Sequence, residues 1–492
     1  MNDTPSPDMN AKSKYAWRDV PRADSSKRPA AERLADFLEI YGHFDEATAR
    51  EQASRCIQCP DPQCVTGCPL GNRIPEWLAL TAEGHFSEAA AVLHSTSCLP
   101  EIAAKLCPSE RLCEALCILD GKAEPVSIRS LEQFLNEYTF AHGEADVANV
   151  PPNGFAVAVV GAGPGGLACA DALSRRGFAV TVFDWRLVPG GLLVSGTPAF
   201  RLEKSIVERR IEMLRKRGVH FRLGVKLGED FTYGELRGRF NAIYLGFGAR
   251  KVRDLDLPGR NLKGVHQALG LLVQDQTASA GAKGRIDVAG KRVLVIGGGD
   301  MAMDCLRTAL RLGAREVVCA YRRDAASLPC IRSEYENAVE EGAKFVFLAA
   351  PVAFLGNARG EITGVRCLRT ELGEAEADGE KPFRVLPGTE FEITADFVFL
   401  ALGFEPTPLP EDEPFNVLAK NATGGIAVDE HQMTSIAGLF AGGDLVQGPS
   451  TVLQVVRDAR CAAQGIEAFL AKLKTAKPQP VAPRSTVAAI DE

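Results

Sequence analysis

Apolar positions along the chain change their period near residue 155. Between about 31 and 150 they recur at helical spacing, with no strand-like alternation. Helices are expected over DEATAREQASR (45–55), EWLALTAEG (76–84) just after Pro75, SEAAAVLHS (87–95) with Ser87 as N-cap, and SIRSLEQFLNEYTFA (127–141). Residues 1–30 are polar and Pro-containing and read as an arm or extended lead-in rather than a packed element. HGEADVANVPPNG (142–154) reads as a linker.

After the linker the pattern becomes strand, Gly-rich turn, helix, strand, and it occurs twice. FAVAVV (155–160) enters Gly161-Ala162-Gly163-Pro164-Gly165-Gly166, then LACADALSRRG, then AVTVFD ending at Asp184. KRVLVI (291–296) enters Gly297-Gly298-Gly299-Asp300-Met301-Ala302, then MDCLRTALRLG, then EVVCAYRR. One such turn is weak evidence, whereas two in full strand–helix context predict two Rossmann-like units in an α/β fold. In the first copy, Gly161 permits the tight turn, Gly163 lets backbone approach a pyrophosphate, and Gly166 lets helix and strand pack. Phosphates then face the helix N-terminus. The copies differ at the end of the second strand. Asp184 is placed to accept from ribose hydroxyls, whereas Arg322 and Arg323 suit a 2′-phosphate, so NADPH is expected at the second site. The bland reading of the arginines is a solvated charge pair beside Asp324.

Of 14 cysteines, eight lie between Cys56 and Cys117, and four of them spell C-x2-C-x4-C-x3-C-P: Cys56, Cys59, Cys64 and Cys68. Several thiolates at short spacing on a turning backbone are what an iron–sulfur cluster needs, and a Cys before Pro can serve a second cluster. Cys107, Cys113 and Cys117 follow, the last two in ERLCEALC, which reads as a helix presenting both on one face. A zinc site normally closes with four ligands in paired motifs, and the N-terminus has no apolar signal segment that would lead to disulfide-forming compartments. The other six cysteines are scattered and read as small buried hydrophobes.

Composition narrows the class. A formal net charge of −7 argues against nucleic acid and anionic membrane as partners. No apolar run approaches the roughly 20 residues of a membrane span, and a cytoplasmic location is expected. None of the seven histidines forms a persuasive triad or metal site, so no side-chain catalyst is expected and the chemistry falls to cofactors.

QASRCIQC, GCPLGNRIPEWL, LCPSERLCEALC, VVGAGPGGLACADAL, GGLLVSGTPAFRLEK, GARKVRDLDLPG, IGGGDMAMDC, AYRRD and GLFAGGDLVQGPSTV together resemble the FAD- and iron–sulfur-containing pyridine-nucleotide oxidoreductases, in particular the small (beta) subunit of NADPH-dependent glutamate synthase. The likeness covers about residues 15–472. It implies an arm (1–30), a helical iron–sulfur domain (31–150), an FAD domain (151–283 and 402–472) with an NADPH domain (284–401) inserted, and a C-terminal tail (473–492). It implies two 4Fe-4S clusters, one on Cys56, Cys59, Cys64 and Cys117, the other on Cys68, Cys107 and Cys113. Relatives commonly carry Cys where this chain has Ala103, so the fourth ligand is open between Glu132 and Cys98, with Glu132 favoured. Cofactor contacts are implied at Gly191, Leu192, Arg201, Gly248, Met301, Gly403, Gly443, Asp444 and Thr451, with Asp444 on a ribityl hydroxyl. Thr197 and Met301 depart from the usual residues. The implied activity is hydride transfer from NADPH to FAD and single-electron transfer through the clusters to the glutamate synthase large subunit. The same module also feeds dihydropyrimidine dehydrogenase-like and ferredoxin-linked reductases.

Overall fold

The computed structural model describes residues 15–143, 150–277, 285–374, 381–411 and 414–475. Residues 1–14 of the expected arm, 144–149 of the linker and 476–492 of the tail lie outside the described residues.

Two five-stranded parallel sheets form the α/β portion. The first runs, edge to edge, Leu439–Ala441, Ala242–Leu245, Ala156–Val160, Ala179–Asp184 and His220–Leu223. The second runs Val265–Gln267, Phe397–Leu400, Arg292–Ile296, Glu316–Tyr321 and Lys344–Phe347. Their central strands are continuous apolar runs because both faces are covered: Val157 to Val159 and Leu294 to Val295 are fully buried. All strands of the second sheet lie in sequence between Leu245 and Leu439, so it is spliced into the first, and it begins with a strand at Val265, ahead of 284. Where the chain crosses between the sheets, Ala249–Val252 pairs antiparallel with Phe404–Pro406. An antiparallel sheet of Ala349–Gly356, Ile362–Leu372, Phe383–Val385 and Phe391–Thr394 adds to the second unit. No hydrophobic pattern in the sequence had singled it out.

The Cys-rich region is helical. Glu46–Ala53 begins on Asp45, whose carboxylate accepts from the Thr48 amide at 2.7 Å, an N-cap. Ile74–Glu83 ends on left-handed Gly84. The next helix runs Phe86–Thr96 and starts after His85, so the expected Ser87 cap is corrected: Phe86 is buried, and the helix begins two residues earlier than that cap would allow. ERLCEALC is corrected too. Ser109–Arg111 is a short 3₁₀ turn and the rest is turn, so Cys113 and Cys117 do not share a helix face. The described part of the arm is packed: Arg22 pairs with Glu114 at 2.8 Å, and Arg55 donates to the carbonyls of Val20, Glu124 and Pro125.

Buried charges join the three parts. Arg201, from the first nucleotide unit, donates to both oxygens of Asp304 at 3.0 and 3.1 Å and lies 3.7 Å from Glu334. Arg307 pairs with Glu334 and Glu341, Arg311 with Glu341, and Arg33 near the N-terminus with Glu340 and Glu341. The Phe200 ring packs under Arg307 and Arg311, at 4.3 and 4.1 Å. Arg111, between two cysteines, donates to the carbonyls of Leu328, Pro329 and Cys330 in the second unit.

Candidate cofactor and iron–sulfur sites

At the first Gly-rich turn, close approach demands glycine. A Cβ on Gly166 would lie 1.7 Å from the Gly161 carbonyl, and one on Gly161 would lie 2.6 Å from that of Gly246. Gly163 is extended and N-caps the helix Pro164–Ser174; its Cβ direction is open except for the Gly191 Cα at 4.0 Å. The first-turn amides have no intrahelical partners, Pro164 lacks one, and Gly165 and Gly166 add no side chain, so a phosphate can sit against backbone. This cradle fits a dinucleotide. Asp184 is buried, and its oxygens accept from the Ala162 and Arg186 amides at 2.7 and 2.8 Å. Leu192 opens a short helix whose carbonyl takes the Gly196 and Thr197 amides. Gly248, at φ 75°, has open space where a Cβ would be.

The structure returns residues from late in the sequence to this turn. Gly443, at φ 66°, leads into Asp444, whose Oδ1 accepts from the Ser450 amide and hydroxyl at 3.1 and 2.9 Å. Burial pushes the Asp444 carboxyl up to about 6. Thr451 and Gln454 cap one another at the start of the helix Val452–Thr475: the Thr451 amide donates to Gln454 at 3.2 Å, and the Gln454 amide to Thr451 at 3.4 Å.

The second turn repeats the design. A Cβ on Gly297 would meet the Ala401 carbonyl at 2.2 Å, whereas at Gly299, the N-cap of Asp300–Arg311, it would meet nothing within 4 Å. Asp300 accepts from the Ile331 amide at 2.8 Å, and Met301 packs partly buried against the core. Gly403, at φ 88°, marks the crossover. Arg322 stacks on Phe383 at 4.7 Å, and Arg323 donates to the Lys381 carbonyl at 2.9 Å. Asp324 caps the turn at Ser327 and faces Lys381 at 3.9 Å. The Ser327 bonds, outweighing burial, and the lysine hold its carboxyl below the usual range. Lys381, just ahead of the Phe383–Val385 strand of the unanticipated antiparallel sheet, could not be placed here from sequence, because nothing local links it to Asp324. Arg201 is engaged by Asp304 and Glu334, as described above.

The cysteines sort into two cavities. Cys56, Cys59, Cys64 and Cys117 line one of about 440 Å³ of non-atom space, with Ile74, Leu78 and Ile118. Cys68, Cys107 and Cys113 line another of about 410 Å³, with Ala103, Asn72, Glu132 and Leu453. Cys98 is buried in the core and is not on that wall. Glu132 is aimed by a relay: the Trp77 ring N–H donates to Asn72 at 3.1 Å, and the Asn72 amide to Glu132 at 2.8 Å. Burial, with Glu114 adding, pushes the Glu132 carboxyl up to about 8. Burial also raises the thiols of Cys56 to about 11 and Cys64 to about 12, and holds those of Cys107 and Cys113 well above the ordinary thiol range. Thiolates there call for a cationic partner, which iron supplies, since a coordinating metal deprotonates its thiol ligands. Among the described residues no three His, Cys, Asp or Glu side chains converge closely enough for a single metal ion. Four thiols lining one cavity, and three thiols with a carboxylate lining the other, are donor sets of the kind an iron–sulfur cage takes.

Comparison with known proteins agrees with this organisation. Residues 33–144 match the family model described as dihydropyrimidine dehydrogenase domain II, 4Fe-4S cluster, and 155–462 match that of pyridine nucleotide-disulphide oxidoreductase. The chain is 43% identical over 467 residues to the glutamate synthase [NADPH] small chain of Azospirillum brasilense, covering 93% of this chain and 96% of that one. It is 39% identical over 466 residues to that of Escherichia coli (strain K12), covering 93% and 98%. Among solved structures, Mycobacterium tuberculosis FprA, as a His57Gln mutant, superimposes with a TM-score of 0.57 at 21% identity, over 66% of this chain and 86% of that one, a likeness of fold. No described helix is long and apolar enough to cross a membrane. The chain belongs to the family of the glutamate synthase NADPH small chains, NADPH-dependent flavin and iron–sulfur oxidoreductases.

Proposed function

We propose that the chain is the electron-input subunit of a cytoplasmic glutamate synthase, carrying two 4Fe-4S clusters and serving a large subunit that makes glutamate from glutamine and 2-oxoglutarate. The observation that carries this reading is the division of seven cysteines and Glu132 between two cavities, four ligands to each. When bound, FAD converts hydride from NADPH into single electrons, and clusters carry them one at a time.

The chain's own residues bind, orient and insulate. The turns at Gly161–Gly166 and Gly443–Asp444, with Asp184, Gly191, Leu192, Gly248 and Thr451, hold FAD. Gly297, Gly299, Asp300, Met301, Gly403, Arg322 and Arg323 hold NADPH. The Glu132 cavity shares Leu453 with the helix Val452–Thr475, and Cys68 and Cys107 pack into the same core as that helix. This cavity therefore stands on the flavin side. The other is rimmed by Leu116 and Ile118, 45% and 51% exposed around Cys117, and faces outward to an acceptor. A second reading, delivery to a pyrimidine-reducing or ferredoxin-type acceptor, is favoured by the description of the N-terminal family model.

Three measurements test the proposal. Anaerobically purified protein should hold about eight irons and as many acid-labile sulfides per chain, as two 4Fe-4S clusters require. Zinc without sulfide refutes it. The isolated chain should reduce dyes with NADPH and make no glutamate, and co-purification should recover a glutaminase-type large subunit. Recovery of a pyrimidine-reducing chain or a ferredoxin selects the second reading.

A further inference from the structure

Arg250 lies four residues past Gly246, whose carbonyl packs against the first Gly-rich turn at Gly161. Its guanidinium stacks 4.2 Å from the ring centroid of Trp185, the residue after Asp184. Arg186 approaches the same ring at 5.2 Å. Arg250 is partly buried, and its side chain makes no hydrogen bond or ion pair among the described residues. Burial, then the charge of Arg186, holds its guanidinium below the usual range, with Asp184 opposing. Asp184 is already accepting from two backbone amides. A partly buried cation beside a like charge is costly unless an anion completes it.

The planar fork of an arginine matches a phosphate, and the neighbouring turn is where a dinucleotide's phosphates come to rest. Contact with the Trp185 ring restricts the guanidinium before a ligand arrives, so less side-chain freedom is lost on binding. We propose that Arg250, stacked on Trp185, donates to the pyrophosphate of FAD and is the charged anchor of a site otherwise built from backbone amides. The inference rests on FAD occupying the first nucleotide-binding unit. The pyrophosphate of NADPH is a poor candidate, because its turn at Gly297–Gly299 belongs to the other sheet.

The test is the FAD dissociation constant of the full-length protein, stripped of flavin and titrated with FAD at low and high salt. Arg250→Met should weaken FAD about 10- to 100-fold, the scale of losing hydrogen bonds to a charged group. It should also flatten the salt dependence, as expected when one phosphate contact is lost, while NADP⁺ affinity stays at the wild-type value. Arg250→Lys should recover part of the loss. The thermal midpoint of the FAD-free Arg250→Met chain should be no lower than wild type, since an unpaired charge has been removed. An FAD constant within twofold of wild type, an equal loss for NADP⁺, or a matching loss of stability without FAD overturns the inference. Gly163→Val separates the two levels. If it abolishes FAD binding while Arg250→Met does not, Arg250 alone is refuted; if it leaves FAD binding intact, the placement of FAD falls as well.

Discussion

Arg201→Met removes one cation from the buried charges that join the two nucleotide-binding units. The Arg201 side chain is 6% exposed and its partner Asp304 8%, with two contacts of 3.0 and 3.1 Å between them. Breaking such a pair from one side leaves a buried carboxylate and costs about 3 to 5 kcal/mol. Part of the cost is escapable by protonation. Burial already raises the Asp304 carboxyl above its ordinary range, with Glu334 and Asp300 adding and Arg201 opposing. Without Arg201 it rises further. A carboxyl raised in the folded state binds a proton that the unfolded chain has released, so stability falls as pH climbs from the unfolded value near 4 through the folded one. Arg201→Met should therefore be more damaging at pH 8 than at pH 6. Arg201→Met/Asp304→Asn should regain most of the loss, because a neutral pair leaves no charge unpaired. Equilibrium urea unfolding of the four proteins in the double-mutant cycle, at both pH values, measures the coupling. A coupling under about 0.5 kcal/mol, or a loss independent of pH, refutes the reasoning.

Other perturbations reach other parts of the molecule. Neutral replacements of Arg322 and Arg323 should raise KM for NADPH roughly tenfold or more per arginine, the scale of one charge-assisted contact, and leave NADH nearly unchanged; steady-state kinetics with both nucleotides decide, and equal effects exclude a phosphate-reading role. Glu132→Ala should lower iron from about eight to about four per chain, one 4Fe-4S cluster's worth, and Ala103→Cys in that background should restore it, since Ala103 lines the same cavity. Undiminished iron in Glu132→Ala rejects the ligand. Among the described residues the buried Tyr244 hydroxyl has no hydrogen-bond partner, so Tyr244→Phe should stabilise the chain by about 1 kcal/mol, read as a raised Tm; a lowered Tm counts against that account.

Local grammar was enough for the strands and turns around Gly161 and Gly297, because each is specified by neighbouring residues: an apolar run, glycines at fixed spacing, a helix. ERLCEALC misled because Cys spacing alone looks helical, whereas burying Cys113 and leaving Leu116 exposed requires the backbone to turn between them. The Ser87 cap failed for a similar reason, with burial of Phe86 outweighing a local preference. Lys381, Arg250 and the Asn72–Glu132 relay were out of reach for another cause. Each depends on contacts between segments remote in sequence, such as Asn72 with Glu132 at 2.8 Å, and no periodicity encodes such a meeting. Glu132 itself was reached through resemblance.

The two cysteine cavities have a bearing on how the protein is made. Their walls combine the thiols with Leu70, Ile74, Leu93, Leu78 and Val126, so whatever fills each cavity is also part of the packing of the N-terminal region. On the two-cluster reading proposed above, cluster binding is coupled to the folding of this region as well as being a loading of redox equipment. A cell starved of iron should accumulate chains with a loosened N-terminal third, ready for proteolysis, even while both nucleotide units are well formed.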